Sequence, residues 1–302
     1  MALTQLRSFV EVYRQQSLSG AARSLGLTQP AISQHIAALE AAIGHALFVR
    51  HAKGVRPTVI ADEMAAGLGD TLDMAEAVLA RTRARSRDQT GIVRIMGQAD
   101  FLAEMVVPRL VSLVRAGMQI RFAAADHAQM AAGVLEDDCD LALSGYPVLD
   151  GNVRSEMVHE ERLHAVASPV VAARIMAAPD LGQALHEEPV LAFNIKQQLI
   201  STWLGANGLA RHALPPAIMG QDLRCLQRMV MDGFGWCVLP SYLCERHIAS
   251  GELVEIEPPV EMPVNRYFLI WLPKVLREPR IAAVHELIRE KFREDAALPQ
   301  AL

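Results

Sequence analysis

The sequence predicts an α/β protein that carries a small helical unit at its amino end, and three observations support that prediction. Residues 1 to 57 show helical periodicity interrupted by glycine, residues 58 to 88 carry one unbroken apolar seam, and from Gly91 onward short apolar runs alternate with helical patterns. A chain of 302 residues allows two or three domains, and with 51% of them hydrophobic it can bury a core in each. No apolar run approaches the ~18 residues of a membrane span. The amino end, with Gln5, Arg7 and Glu11, lacks a secretory apolar core, so a cytoplasmic location is expected. Cys139, Cys225, Cys237 and Cys244 form no CxxC pair, which argues for plain thiols over a disulfide framework or a zinc site.

Charge is distributed unevenly. Within residues 1 to 60, Arg7, Arg14, Arg23, Arg50, Lys53 and Arg56 outnumber Glu11 and Glu40, giving +4 against a total of −5. A basic small unit on an acidic larger body suits a nucleic-acid partner for the first and a different partner for the second.

The helical unit is read from "SLSGAARSLGLTQPAISQHIAALEAAIGHALF", residues 17 to 48. Ala21, Ala22 and Leu25 make a short helix that Gly26 ends, because glycine adopts the positive φ of a helix terminus at little cost. Thr28 suits the N-cap of a second helix, and Pro30 is tolerated in its first turn, where an amide has no intrahelical acceptor to lose. Ile32, Ile36, Leu39 and Ile43 fall on one face. Gln29, Pro30, Ser33, Gln34 and Ala37 fall opposite, a face that is short, uncharged and able to meet base edges in a major groove. Arg50, Lys53 and Arg56, in "FVRHAKGVRPT", suit phosphates beside that helix from a turn or wing made possible by Gly54. A small packed domain with a solvated polar face is the plainer alternative.

"LRSFVEVYRQQSLSGAARSLGLTQPAISQHIAALEAAIGHALFVR", residues 6 to 50, resembles the winged helix-turn-helix of LysR-type transcriptional regulators, in which a run like "TQPAISQHIAALE" is the recognition helix. The resemblance extends more weakly to "DLALSG" at 140 to 145, "GFGWCVLP" at 233 to 240 and "GELVEI" at 251 to 256. Pro57 stands where the family usually has leucine, and Asp62 where it often has glycine. The resemblance implies a winged helix-turn-helix over 1 to 57, a long linker helix over 58 to 88, and a two-lobed α/β effector-binding domain like periplasmic binding proteins over 91 to 302. Lobe I would comprise 91 to 161 with 267 to 302, and lobe II 162 to 266. It also implies a bacterial regulator of transcription that binds double-stranded DNA as a homodimer or homotetramer, contacts RNA polymerase, and responds to a small-molecule effector without a cofactor.

The linker reading stands on spacing as well. Ala61, Met64, Leu68, Leu72, Ala75 and Leu79 form a seam that a lone helix could not leave bare, so a dimer partner is expected. Packing on its own domain is the alternative, disfavoured because so few residues precede the helix. Two recognition helices related by a twofold axis would then meet two half-sites. Arg81, Arg83, Arg85 and Arg87 read as a solvated, cationic helix end.

From Gly91, "IVRIM", "MQIRFAA", "DLALS", "LHAVAS", "PVLAF", "WCVLP" and "YFLIWL" read as strands, with helices near 101–116, 127–137, 222–232 and 279–294. Ligands of open α/β sheets sit beyond the carboxyl ends of strands. That rule selects the loops "GQADF", "ADHAQ", "SGYP", "NIKQQ" and "GQDL". Ser144 comes from the third, and the resemblance places effector contacts on Gln98, Ala99, Asp100, Phe101, Asp126, His127, Asn194 and Gln221. Where many members have Ser or Thr, this chain has Ala99 and Asp100, so one hydroxyl for an effector carboxylate is missing. Asp100 reads either as an N-cap or as an acid that receives an effector's amine.

The remaining chemistry is sparse. Cys237 and Cys244 invite comparison with peroxide-sensing members, yet Cys237 sits in an apolar strand where a thiol behaves as a small hydrophobe. The histidines form no HExxH, and no GxSxG, P-loop or GxGxxG occurs, so neither a metal site nor an enzyme is expected. Trp203, Trp236 and Trp271 read as core or lobe surface. An enzyme built on the two lobes lacks a nucleophile and base at recognisable spacing, and an exported solute-binding module lacks its signal.

Overall fold

The computed structural model describes residues 3–51, 54–68, 72, 91–194, 196–210 and 215–297. The chain divides into two compact units, Met1–Arg87 and Asp88–Leu302.

The first unit comprises α1 (Leu3–Gln15), α2 (Leu18–Leu25), α3 (Gln29–Ile43), a hairpin of β1 (Phe48–His51) and β2 (Gly54–Pro57), and α4 (59–68). Ser17 caps α2 by accepting from the Gly20 amide at 3.1 Å, and Gly26 ends it at φ 62°. Thr28 caps α3 through the Ala31 amide at 3.4 Å, and Pro30 occupies the first turn. Phe9, Val12, Ile32, Ile36, Leu39, Leu47 and Val55 close one core. Ala61 and Leu72 belong to that same core, with Met64 packed against it. The linker seam therefore begins on its own domain, as the alternative reading has it for Ala61, Met64 and Leu72. Ala75, Leu79 and the four arginines from Arg81 lie outside the described residues, as does Lys53.

The second unit is built on a mixed sheet. Its strands are β3 (Ile92–Gly97), β4 (Gln119–Ala124), β5 (Leu141–Ser144), β6 (Arg154–Ala167), β9 (Trp236–Pro240), β10 (Val254–Glu255) and β11 (Val264–Trp271), in the order β10-β6-β11-β5-β3-β4 with β9 also on β6. β3 pairs in parallel with β4 and β5, while β11 runs antiparallel to β5 and β6. β7 (Leu191–Ala192) and β8 (Ile218–Met219) form a separate parallel pair. The helices are α5 (Ala99–Phe101), α6 (Val111–Arg115), α7 (His127–Leu135), α8 (Pro169–Ala177), α9 (Leu181–Glu187), α10 (Gln198–Ala206), α11 (Leu223–Met231), α12 (Ser241–Ser250) and α13 (Pro279–Ala297).

β6 joins the two lobes of this unit. Residues 154–162 pair with β11, and residues 163–167 pair with β9. The first lobe packs Met130, Val134, Ala142 and Ile270 together; the second packs Leu163, Val171, Ile175 and Trp203 on one side and Leu226, Val230, Leu239 and Leu243 on the other. All three tryptophans are buried, and the Trp236 indole donates to the Leu185 carbonyl at 3.0 Å. Gly235 is required where it stands: at φ 133° an added Cβ would meet the Pro189 carbonyl oxygen at 2.0 Å.

The expected helix at 101–116 starts earlier and is irregular. It widens to a π-turn over Leu102–Val106 and tightens to a 3-10 turn over Val107–Leu110 before α6. Pro108 explains the change, because its nitrogen has no hydrogen to give to the preceding turn.

Candidate functional sites: a nucleic-acid face and an inter-lobe cleft

The recognition face is built by anchoring α3 on its opposite side. Ile32 and Leu39 are fully buried and Ile36 nearly so, whereas Thr28, Gln29, Pro30, Gln34 and Ala37 are exposed and Ser33 half-buried. His35 Nδ1 meets Ser8 Oγ at 2.7 Å, and Ser19 Oγ donates to Gln29 Oε1 at 3.2 Å. The Glu40 carboxylate accepts from the Leu47 amide at 2.8 Å and the Phe48 amide at 3.2 Å, so α3 fixes the start of the wing directly.

The wing is held at its other strand by the Val55 amide, which donates to the Gln16 carbonyl at 3.1 Å. Gly54 permits this approach. At φ 144° it brings the backbone so close that a Cβ would sit 2.6 Å from the Gln16 oxygen. Arg50 and Arg56 are both exposed, but Arg50 is opposite Val55 and Arg56 opposite Val49. Directly opposed residues share a face, so the two guanidinium groups stand on opposite faces of the hairpin.

In the second unit, a cleft of about 400 Å³, counted to its solvent-open mouth, is lined by Gln98, Gly145, Tyr146, Phe193, Asn194, Gln198, Leu199, Leu223, Asn265 and Tyr267. Gln98 begins the helix after β3, Gly145 and Tyr146 follow β5, Phe193 and Asn194 follow β7, and Leu223 opens α11. The cleft thus lies where strand ends of both lobes converge. Asn194 donates from Nδ2 to Gln198 Oε1 at 3.2 Å, while its own Oδ1 is buried without a hydrogen-bond partner among the described residues.

Of the nine effector candidates, Gln98 and Asn194 line this cleft. Ser144 and His127 stand behind it: Ser144 Oγ meets His127 Nδ1 at 2.9 Å and accepts from the Tyr146 amide at 3.2 Å, and the His127 ring meets Tyr146 edge-on. Asp126 caps α7 by accepting from the Gln129 amide at 2.9 Å. Ala99 is half-buried in α5, and Gln221 is exposed. Phe101 is fully buried, stacked 3.8 Å from Tyr267 and packed near Phe292, so it reaches the cleft only through Tyr267.

Asp100 departs from its N-cap reading. Gln98 holds the N-cap position, and Asp100 lies inside α5 with 1% exposure. Its Oδ2 accepts from the Tyr242 hydroxyl at 2.6 Å, and Tyr242 lies 3.4 Å from the Tyr267 hydroxyl. Asp100 Oδ1 is buried without a partner among the described residues. Burial pushes the carboxyl above its ordinary range, opposed by the Tyr242 hydrogen bond. Since Tyr242 sits on α12 and Asp100 on α5, this is a bond between lobes, and Tyr267 connects it to the cleft.

Sequence reasoning missed Asn265 and Tyr267, which come from β11 and follow no strand end. Tyr146, Gln198 and Leu223 lay within the loops it selected but were not singled out. Burial pushes the Cys139 thiol up to about 12 and the Cys237 and Cys244 thiols higher still, so these three are poor nucleophiles, while Cys225 is exposed. Among the described residues no helix is long and apolar enough to cross a membrane, and no cluster of His, Cys, Asp or Glu is arranged to hold a metal.

Comparison with known proteins identifies the family of the chain. The model of the bacterial regulatory helix-turn-helix protein, lysR family, matches residues 3–61, and that of the LysR substrate binding domain matches residues 86–293. The HTH-type transcriptional regulator AbaB of Streptomyces antibioticus is 31% identical over 96% of this chain and 98% of its own. TrpI of Pseudomonas aeruginosa, another HTH-type regulator, is 26% identical over 96% and 97%. The solved structure of CrgA, a LysR-type transcriptional regulator from Neisseria meningitidis, shares the fold at a TM-score of 0.61 with 18% identity, covering 96% of this chain and 98% of that one. The chain belongs to the LysR-type transcriptional regulators, a family of DNA-binding proteins with effector-binding domains and not of enzymes.

Proposed function

We propose that α3 enters the major groove with Gln29, Pro30, Ser33 and Gln34 against base edges, while Thr28, Arg50, Lys53 and Arg56 engage the backbone. The exposed, uncharged face of α3 opposite buried Ile32, Ile36 and Leu39 carries this reading. Because Arg50 and Arg56 stand on opposite faces of the wing, one hairpin inserted beside a groove offers a cation to each flanking strand. Residues 58 to 88 act as the linker through which subunits pair, giving a homodimer that assembles into a homotetramer in the cytoplasm and contacts RNA polymerase.

The cleft of the second unit serves as the effector site, with no cofactor required. An effector acts only through different affinities for two arrangements of the assembly. The Asp100–Tyr242 bond is suited to couple it, since it spans the lobes and adjoins Tyr267 of the cleft wall.

Selection of the full chain against a random duplex library tests the DNA reading. Wild type should enrich a two-half-site sequence with affinity falling steeply as salt rises. Gln34→Ala should broaden the preference at about one position per half-site, and Arg50→Ala should weaken all sequences alike. Enrichment unchanged by Gln34→Ala would sink the assignment of α3.

A further inference from the structure

The cleft wall carries a chemical signature that narrows its ligand, on the reading that this cleft is the effector site. Its polar groups are the side-chain amides of Gln98, Asn194, Gln198 and Asn265 and the hydroxyls of Tyr146 and Tyr267. Phe193, Leu199 and Leu223 supply the apolar remainder. No Lys, Arg, His, Asp or Glu lines it among the described residues.

Candidates for a counter-charge are placed elsewhere, His127 among them, whose Nδ1 is taken by Ser144 Oγ at 2.9 Å behind the Tyr146 ring. Arg224 adjoins the lining residue Leu223, but its guanidinium is a bidentate partner of Asp222, with Nε to Oδ1 at 3.0 Å and Nη2 to Oδ2 at 2.8 Å. Lys196 shares the loop of Asn194 yet is exposed and is not part of the wall. Asp100, two residues from Gln98, is hydrogen-bonded to Tyr242 behind the wall, and any negative charge it holds would repel an acid. A carboxylate entering here would lose its water without gaining a cation, which is costly in a partly buried site.

The wall asks instead for complementary neutral groups. Asn194 Oδ1 is a buried acceptor without a donor among the described residues, so a ligand N–H that reaches it as the side chain turns toward the cleft satisfies it. The Asn265 amide faces Gly145, where an added Cβ would stand 3.7 Å from it, and it hydrogen-bonds the Tyr267 hydroxyl, which leaves the rest of its donors and acceptors for the cleft. Side-chain amides offer donors and acceptors side by side in one plane, the pattern that matches another amide.

We propose that the cleft receives a small neutral ligand whose flat frame carries an adjacent hydrogen-bond donor and acceptor, such as a primary amide, cyclic imide or heteroaromatic amide, and that it rejects the corresponding free carboxylates. Phe193 and Leu199 hold the frame, and Asn194 takes a ligand N–H that a carboxylate lacks.

Matched pairs test this on the full chain by titration calorimetry at neutral pH: nicotinamide against nicotinate, benzamide against benzoate, and uracil against its 6-carboxylate. The expected result is at least one neutral probe binding tenfold or more tightly than its acid. Asn194→Leu should weaken that probe about tenfold, with the thermal midpoint confirming that the variant folds. Gln98→Trp, at a half-buried N-cap position whose side chain makes no capping bond, should fill the mouth and abolish binding. Acids that outbind their amides, with Gln98→Trp removing them, overturn the ligand class and leave the cleft as the effector site. Binding unaffected by Gln98→Trp overturns both, and a neutral set that fails to bind overturns the proposal.

Discussion

Tyr242→Phe removes one oxygen from the contact between lobes, and its cost depends on pH in a direction the structure dictates. The Tyr242 hydroxyl donates at 2.6 Å to Asp100 Oδ2, while Asp100 Oδ1 is buried without a partner among the described residues. Losing a donor to a neutral carboxyl costs about 0.5 to 1.5 kcal/mol, and losing one to an ionised carboxyl about 1.5 to 3 kcal/mol. Burial holds the Asp100 carboxyl above the ordinary range. A carboxyl raised on folding contributes its stability below its unfolded value and loses it as pH rises through the folded value. The hydroxyl favours the ionised form, so the variant raises the folded value further and steepens that loss. Thermal unfolding of the full chain at pH 5 and pH 8 should therefore show a small penalty at the lower pH and a larger one at the higher, about 3 to 12 °C at 2 to 4 °C per kcal/mol. Asp100→Asn keeps an acceptor for Tyr242 without a charge and should flatten the pH slope. Equal penalties at both pH values, or an unaltered slope in Asp100→Asn, would refute the reasoning.

Two further outcomes are expected. Gly54→Ala places a Cβ 2.6 Å from the Gln16 carbonyl at φ 144°, so the Val55 bond to Gln16 must open; the midpoint of the first unit should drop by about 1 to 3 kcal/mol equivalent, the cost of strain at such a position, with weaker DNA binding, and wild-type behaviour in both would show that the wing relaxes freely. Of the four thiols, Cys225 alone should react quickly with iodoacetamide under native conditions, because Cys139, Cys237 and Cys244 are buried with raised thiol values; rapid labelling of Cys237 by mass spectrometry would contradict this.

The helical unit was legible because its signals are local. Gly26, Thr28 and Pro30 each act within a turn or two, and the stripe from Ile32 to Leu39 needs only one helix to be seen. The second unit was legible where strands are apolar throughout, as in β5 and β9, both buried along their length. The first half of β6, "RSEMVHEER", was not, since its residues alternate charges and its strand character comes from pairing with β11, over a hundred residues later. The cleft shows the same divide. Loop residues such as Gln98 and Asn194 follow from a rule about strand ends, whereas Asn265 and Tyr267 reach the wall from positions within the first half of β11 fixed by register. Asp100 looked like a cap because capping is the common use of an acid at a helix start; its actual partner, Tyr242, is a tertiary neighbour that no local pattern announces.

β6 also sets what kind of motion the second unit can make. Its 14 residues run unbroken from Arg154 to Ala167, with β11 bonded along one stretch and β9 and β10 along the other. Apart from a bulge that leaves Val158 without a partner on β11, it is a bonded ribbon, which resists extension and gives more readily in torsion, the distortion that β-sheets already carry. The lobes are thus mounted on a common torsion bar. Cutting the chain between 162 and 163 would leave two halves of a strand, each with an exposed end.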